Sequence, residues 1–343
     1  MASETIGVGV VGLGFMGTTH LRQYSKLPHV RIVAVCDAVR IPDSGKLSQV
    51  AGNLGGDEPL HLDWSAIRAT RRFEDLLVDP EVELVDLCVP TPLHADMAIA
   101  ALEAGKHVVC EKPLARTAAL AHRIADVAER VRVFFLPAMC IRFWPEYAWL
   151  KEAISSGRYG RVRAARFRRV SEPPGWSRDF LDGSKSGGAL LDLHIHDVDF
   201  VQFCFGKPRA VMAVGGSWIS GAVDHVVALY KVASGAVVSA EGGWCMTRGF
   251  GFHMGFTVQF ERATVDYDVN RGPEALKLFE EGQPPRVVKC EGPDGYYGEL
   301  SYMVECIRSG RRPERVTARE AAVAVEICEA EERSIQTGSV VEL

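Results

Sequence analysis

The segment from Asp192 to Asp197 reads Asp-Leu-His-Ile-His-Asp, so it combines two imidazoles with carboxylates. On a helix, Asp192 and His196 stand four residues apart and share one face, whereas His194 points away from both. A carboxylate beside an imidazole suits proton abstraction from a hydroxyl, because the acid fixes the tautomer and stabilises the imidazolium. Two other interpretations stay open: a capped helix start with one core histidine, and a metal site, although the His-x-His spacing suits a strand better.

Two polar groups each follow a strand-like apolar run in the N-terminal half. Thr91-Pro92-Leu93-His94 comes after residues 84–89, and Glu111-Lys112-Pro113 comes after residues 107–110. Parallel strands would bring both groups to the carboxyl edge of one sheet, where ligands bind in such folds. Each group also has a structural interpretation, as a proline turn, a helix-capping histidine or a solvated lysine.

A glycine-rich loop, Gly12-Leu13-Gly14-Phe15-Met16-Gly17, stands between a valine-rich predicted strand and a predicted helix. This spacing predicts a dinucleotide site rather than a plain turn. Gly12 allows a tight turn, Gly14 lets the backbone approach a pyrophosphate, and Gly17 lets the helix pack closely on the strand. The amides at the helix start would hold the phosphates.

Asp37 ends the second predicted strand, twenty residues after the last glycine of this loop. A carboxylate at this place can accept hydrogen bonds from the adenosine ribose, and its charge repels a 2′-phosphate, so NAD is favoured over NADP. Arg40 would soften that preference, unless it is a solvated surface arginine.

The elements that must position these groups change character near residue 137. Strands and helices alternate before it, which predicts a doubly wound parallel sheet in residues 1–137. Residues 138–343 group six predicted strands between helices, which indicates an α+β domain with antiparallel hairpins. Residues 41–70 are glycine-rich, and we expect a surface insertion beside the adenosine end of the cofactor.

Composition excludes several classes of protein. The chain has 343 residues, of which 47% are hydrophobic and 24% charged, with a net charge of −5. These values are typical of a globular protein and give no reason to expect a nucleic-acid or membrane partner. Nine cysteines are scattered without a C-x-x-C pair, and the start carries Glu4. We therefore expect a cytoplasmic protein with buried thiols.

In combination, these motifs resemble the Gfo/Idh/MocA oxidoreductases, the glucose–fructose oxidoreductase and inositol dehydrogenase family. The likeness covers nearly the whole chain and includes Arg142-Phe143-x-Pro145 and Gly295-Tyr296-Tyr297-x-Glu299-Leu300. The resemblance implies an N-terminal Rossmann domain and a C-terminal domain with a large, mostly antiparallel open sheet. That sheet often forms the oligomer interface, so a homodimer or homotetramer is expected. His194 departs from the small residue of many members, and it either narrows the substrate pocket or packs.

The resemblance also implies the roles of the site residues. Lys112 corresponds to the catalytic lysine, which contacts the reacting hydroxyl and the nicotinamide ribose. Asp192 would orient and polarise, and His196 would be the general base or acid. The expected activity is NAD-dependent dehydrogenation of a secondary alcohol of a sugar, cyclitol or derivative. The alternatives are an NAD-dependent glycosidase and a non-catalytic dinucleotide sensor; a sensor would be expected to lose Lys112 or His196.

The remaining assignments concern the cofactor and the substrate pocket, and no metal ligand is assigned. The predicted cofactor-binding residues are Gly12, Gly14, Phe15, Met16, Gly17, Asp37, Thr91, Pro92, His94, Glu111 and Lys112. The predicted substrate-binding residues are Arg142, Arg166, Trp176, His196 and Tyr297. Arg166 and Arg168 alternate onto one strand face, which favours a carboxylated or phosphorylated sugar if that face reaches the site. Otherwise the face is simply solvated.

Overall fold

A computed structural model describes residues 5–43, 45–47, 60–175 and 179–343 of the chain. Strands and helices alternate in the first part of the chain, up to residue 140. The strands of the first part are β1 (Ile6–Val11), β2 (Val30–Cys36), β3 (Lys46–Leu47), β4 (Leu60–His61), β5 (Arg68–Thr70), β6 (Leu84–Leu87), β7 (His107–Glu111) and β8 (Phe135–Ala138). Its helices are α1 (Phe15–Tyr24), α2 (Phe73–Val78), α3 (His94–Glu103) and α4 (Ala118–Arg130).

Six of these strands form a parallel sheet in the order β5-β2-β1-β6-β7-β8. Every residue of β1 and β6 is buried, as apolar strands covered on both faces must be. The strand order reverses between β1 and β6, and the crevice at such a switch point is where a doubly wound sheet binds its ligand. The sheet therefore directs the glycine loop, which follows β1, toward that crevice.

The predicted insertion at 41–70 needs a correction at its end. Residues 68–70 form β5, which pairs with β2 at the sheet edge and so belongs to the sheet itself. β3 and β4 pair separately as a short antiparallel ladder. Residue 44 and residues 48–59 lie outside the described residues.

Antiparallel strands dominate the second part of the chain. Its strands are β9 (Val162–Ser171), β10 (Ala210–Gly216), β11 (His225–Lys231), β12 (Val237–Gly243), β13 (Phe252–Phe260), β14 (Ala263–Asp268), β15 (Leu276–Glu280), β16 (Arg286–Val287) and β17 (Val341–Glu342). Its helices are α5 (Pro145–Ser155), α6 (Gly183–Ser186), α7 (Ile195–Phe205), α8 (Gly295–Ser309) and α9 (Ala318–Thr337).

The nine strands form one open sheet in the order β16-β15-β14-β13-β9-β12-β11-β10-β17. The pair β9–β12 is parallel and the other pairs are antiparallel. Aromatic contacts fill the helix-covered face of the sheet. The ring centroid of Phe200 in α7 lies 4.9 Å from that of Tyr147 and 5.7 Å from that of Phe167. The predicted fold class, a doubly wound parallel sheet with an α+β part built on a mostly antiparallel sheet, is confirmed.

Two compact units divide the chain. Unit 1 comprises Met1–Cys140 and Asp294–Ala322, and unit 2 comprises Ile141–Pro293 and Val323–Leu343. Unit 1 therefore includes α8, although the sequence places it far from the parallel sheet. The functional domains 1–137 and 138–343 stay a prediction. Among the described residues, no helix has both the length and the apolar character needed to cross a membrane.

Candidate functional site: a dinucleotide loop and an acid–imidazole helix

The glycine loop has the geometry that its predicted role requires. Gly12 adopts a φ of +92°, and a Cβ at Gly17 would collide with the carbonyl oxygen of Gly12. The space beside Gly14 is open, with no atom of the described residues within 4 Å of where its Cβ would stand. Gly14 is also the N-cap of α1 and has no side chain to cover the helix start. The loop thus leaves a cradle over amides that favour a phosphate.

Asp37 supports this loop directly, which the sequence did not predict. Its Oδ2 accepts a hydrogen bond from the Leu13 amide at 2.7 Å, so the end of β2 is tied to the glycine loop. Its Oδ1 accepts from the amides of Val39 and Arg40 at 2.9 and 2.7 Å. A carboxylate has about four acceptor positions, so Asp37 keeps capacity for a ribose hydroxyl. The side chain of Arg40 is exposed.

The turns after β6 and β7 are joined by His94. Its ring is 1% exposed, with Nδ1 2.8 Å from the Pro113 carbonyl oxygen and Nε2 2.8 Å from that of Val89. Burial lowers the pKa of His94, although the hydrogen bonds to the two backbone carbonyls act to raise it. Both ring nitrogens therefore face backbone oxygens, and His94 ties the two turns together. This differs from the predicted contact of its ring with the cofactor. Thr91 and Pro92 stand at the start of the first turn, and Pro92 is exposed.

Lys112 directly follows β7, and its backbone amide is hydrogen-bonded to the side chain of the preceding residue. Its amide donates to Oε2 of Glu111 at 3.0 Å, its side chain is half-buried, and its bond to Pro113 is cis. The Glu111 carboxylate turns inward, 6% exposed, and its other oxygen lies 3.3 Å from Nε2 of His20. Glu111 is therefore part of the interior, which differs from the predicted cofactor contact. His20 was not among the residues predicted from the sequence.

In unit 2 the structure singles out Asp192 and His196. From Gly187 to Gln202 every residue is buried except these two, which are half-buried. We expected one regular helix, but Leu190–His194 is a π-helical turn that continues into α7. Such turns are frequent at functional sites. The two side chains are thus the accessible groups of this segment, and their pairing as carboxylate and imidazole stays a prediction.

Two buried arginines hold this helix. Arg142 donates from Nε and Nη2 to the Asp199 carboxylate at 2.8 and 2.6 Å, and its side chain is fully buried. Arg169 pairs with Asp197 at 2.9 and 3.3 Å. Forked, charge-assisted bonds of this kind fix geometry as well as charge. The prediction that Arg142 lines the substrate pocket needs correction, because its guanidinium is engaged inside unit 2.

His194 packs instead of narrowing a pocket. It is fully buried, with Nε2 3.3 Å from Oε2 of Glu331 and 3.3 Å from the Tyr230 hydroxyl, which donates to Glu331 Oε1 at 2.7 Å. A Cβ at Gly242 would lie 2.6 Å from this imidazole, so the glycine in β12 admits it. This burial also takes one histidine away from the His-x-His metal alternative.

The other predicted substrate residues are scattered. Phe167 faces α7, so its neighbour Arg166 lies on the opposite sheet face, paired with Glu241 at 3.4 Å. The structure therefore does not bring Arg166 to the acid–imidazole helix. Tyr297 is half-buried in the first turn of α8, within unit 1. Trp176 lies outside the described residues.

Comparison with known proteins decides the family. Residues 6–138 match the model of an oxidoreductase family with an NAD-binding Rossmann fold, and residues 147–266 match the GFO/IDH/MocA C-terminal domain. The chain belongs to the GFO/IDH/MocA family. This confirms the resemblance, the oxidoreductase class and NAD as the cofactor type.

Individual relatives of this GFO/IDH/MocA chain are sugar and cyclitol dehydrogenases. A levoglucosan dehydrogenase of Pseudarthrobacter phenanthrenivorans is 29% identical over 90% of this chain and 85% of its own length. A myo-inositol 2-dehydrogenase of Thermotoga maritima is 26% identical over 98% of both chains. A solved levoglucosan dehydrogenase complex with NADH and levoglucosan has a TM-score of 0.84 at 22% identity, covering 98% of this chain and 99% of that one. At that identity the last likeness shows the fold.

The described residues fit the NAD that this family binds. The open space beside Gly14 and the uncovered start of α1 suit a pyrophosphate. The remaining acceptor capacity of Asp37 suits ribose hydroxyls. These features lie within unit 1. They depend on the open space beside Gly14, which a side chain at that position would occupy.

Proposed function

We propose that this chain oxidises a secondary alcohol of a sugar or cyclitol with NAD, or catalyses the reverse reduction. The relatives named for levoglucosan and inositol support this substrate class. One structural observation carries the assignment of the chemistry: Asp192 and His196 are the only residues between Gly187 and Gln202 that are not buried. In this packed segment a carboxylate and an imidazole are the side chains left accessible, which supports a role for them in proton transfer.

NAD, when bound, supplies the nicotinamide ring that exchanges a hydride with the substrate carbon. In the oxidation, His196 takes the proton of the substrate hydroxyl at an imidazole nitrogen. Asp192 orients that imidazole and stabilises the positive charge it acquires. The Lys112 ammonium stabilises the negative charge that develops on the substrate oxygen. In the reduction, His196 returns the proton.

Two substitutions test this proposal. Lys112→Ala and His196→Ala should each lower kcat by about three orders of magnitude or more. Binding of NADH, followed by its fluorescence, should persist, because neither change touches the glycine loop. Lys26→Ala and His61→Ala, at exposed positions, serve as matched controls. Near-normal turnover in both Lys112→Ala and His196→Ala would refute the assignment.

A screen of sugars and polyols for NADH absorbance would identify the substrate. The same screen separates the two alternatives: a glycosidase releases sugar without net NADH while keeping its NAD bound, and a sensor shows no turnover. Measuring the cofactor that co-purifies with the chain completes this comparison.

We also propose that the open sheet pairs with further copies of the chain, in a homodimer or homotetramer. Five apolar side chains on β10, β11 and β12 are between 40% and 69% exposed: Met212, Val214, Val227, Leu229 and Val237. A contiguous apolar patch of this kind is typical of an interaction surface. Light scattering should show an oligomer that Leu229→Asp dissociates; a monomeric wild type would overturn the idea. The nine free cysteines support a cytoplasmic location, which stays a proposal.

A further inference from the structure

Unit 1 contains a buried cluster of titratable side chains that the reaction above does not use. We call it the His20 cluster: His20 on α1, Asp86 on β6, Glu111 on β7 and Glu299 on α8. Each of these side chains is at most 8% exposed. Three carboxyl groups and one imidazole therefore share an interior where uncompensated charge is costly.

His20 stands at the centre of the His20 cluster. Its Nδ1 lies 2.8 Å from Asp86 Oδ2, and its Nε2 lies 3.3 Å from Glu111 Oε1. A carboxylate at each ring nitrogen stabilises the doubly protonated imidazolium. Burial by itself lowers the pKa of His20, but the charge and hydrogen bond of Asp86, with Cys88, raise it well above the usual value. The imidazolium thus balances part of the negative charge.

Glu299 is the third carboxyl group, 3.8 Å from Nε2 of His20. Both of its oxygens are buried and have no hydrogen-bond partner among the described residues. Burial raises the pKa of Glu299 well above the usual value; His20 opposes this rise, and Glu111 and Asp86 reinforce it. Burial therefore favours the protonated form of Glu299, and His20 lies between the carboxyl groups of Asp86 and Glu111.

The His20 cluster reaches Lys112 through Glu111. The Glu111 carboxylate faces His20 with Oε1 and accepts the Lys112 amide with Oε2 at 3.0 Å. We propose that His20 and Glu299 are positioning residues: protonated His20 holds Glu111, and Glu111 fixes the backbone from which the Lys112 side chain extends. This inference rests on the proposed function, because it assumes that Lys112 acts on the substrate.

Other titratable groups face the His20 cluster but keep their protons over the neutral range. Burial raises the pKa of Tyr24 on α1, and burial likewise raises that of Cys88 after β6 and Cys110 on β7. Asp294, the N-cap of α8, contributes a further negative charge near Glu299. The charge of the cluster therefore changes with pH through His20 and Glu299.

The sign of the pH dependence follows from these two groups. Both pKa values are raised in the folded protein, so the folded state holds the two protons more tightly than the unfolded state. The contribution of His20 is fully present below its unfolded pKa, about 6.5, and is lost as the pH rises through its folded pKa. Both stability and turnover should therefore decline toward alkaline pH.

Two variants test the inference, with kcat, KM and NADH affinity measured across pH. His20→Asn removes the imidazolium and should lower kcat by about tenfold or more while NADH affinity stays within about twofold. Glu299→Gln copies the protonated acid, so it should keep kcat at pH 7. Because the amide cannot become an anion beside His20 as the pH rises, His20 should lose its proton earlier and the alkaline loss should move downward by about one pH unit. Glu305→Gln, an exposed change on the same helix, is the matched control and should leave the profile unchanged.

The outcomes separate this inference from the proposed function. If Lys112→Ala is inactive while folded His20→Asn has the wild-type kcat, only the positioning role is overturned. An unchanged alkaline limb in Glu299→Gln, the isosteric variant that should fold, overturns it as well. So does one equivalent of zinc in the purified protein, since an ion would then hold these groups instead of protons. Full activity of Lys112→Ala overturns the proposed function and this inference with it.

Discussion

The pair Arg142–Asp199 gives a sharp test of how the helix that carries Asp192 and His196 is held. Nη2 of Arg142 lies 2.6 Å from Oδ1 of Asp199, and the two side chains are 0% and 1% exposed. Asp199→Asn removes one charge and leaves the guanidinium buried without its counter-charge. Breaking a fully buried pair from one side costs about 3–5 kcal/mol. For a unit of this size, that loss corresponds to a fall in Tm of roughly 6–20 °C.

Thermal unfolding followed by near-UV circular dichroism measures this loss, and an exposed pair supplies the control. Lys185 and Asp179 are also 2.6 Å apart, but their side chains are 52% and 53% exposed, so Asp179→Asn should not move the midpoint. The double change Arg142→Met with Asp199→Leu should cost far less than either single change, because no charge stays buried. If Asp199→Asn shifts Tm no more than Asp179→Asn does, burial does not give this pair its strength and the reasoning fails.

Three further predictions concern the loop, the cofactor and the two histidines. Gly14→Ala should unfold like the wild type but bind NADH about tenfold more weakly. Gly17→Ala should lose about 1–3 kcal/mol of stability, because its Cβ collides with the Gly12 carbonyl oxygen. Equal effects of the two changes on unfolding would contradict the geometry. Asp37→Ser should raise kcat/KM for NADP relative to NAD by at least about tenfold, and an unchanged ratio in steady-state assays would show that Asp37 does not select the cofactor. Glu331→Gln should destabilise by about 1–3 kcal/mol in urea while keeping kcat; a loss of turnover like that of His196→Ala would mean that His194 takes part in the reaction.

The sequence predicted what is local and periodic. Valine-rich runs, glycine turns and helical spacing specified the alternation of β1, α1 and β2, as well as the antiparallel strands after residue 209, within a few residues of their ends. It missed β5 because Arg68–Thr70 is short and mostly exposed, which an apolar pattern does not mark. It missed the π-helical turn because a register change inside a helix depends on tertiary packing rather than on residue types.

Partners that are distant in sequence account for the errors at the site. Arg142 meets Asp199 57 positions away, and the isolated arginine gave no sign that it was paired. The His20 cluster joins four elements between residues 20 and 299. One signal was available: Asp86 interrupts an apolar strand buried on both faces, and a buried carboxylate requires a partner.

The packing of the acid–imidazole segment divides its ionisable residues into two groups. Asp197, Asp199 and His194 turn inward, where they meet Arg169, Arg142 and Glu331 from three separate elements. Each inward contact is buried, so a shift of the helix would leave a charge or polar group without its partner. Asp192 and His196 are the groups of this segment that reach the surface. The inward contacts on either side fix the backbone from which their side chains extend. A site gains precision when such surrounding bonds hold its side chains. The inward contacts therefore restrain the backbone that carries Asp192 and His196.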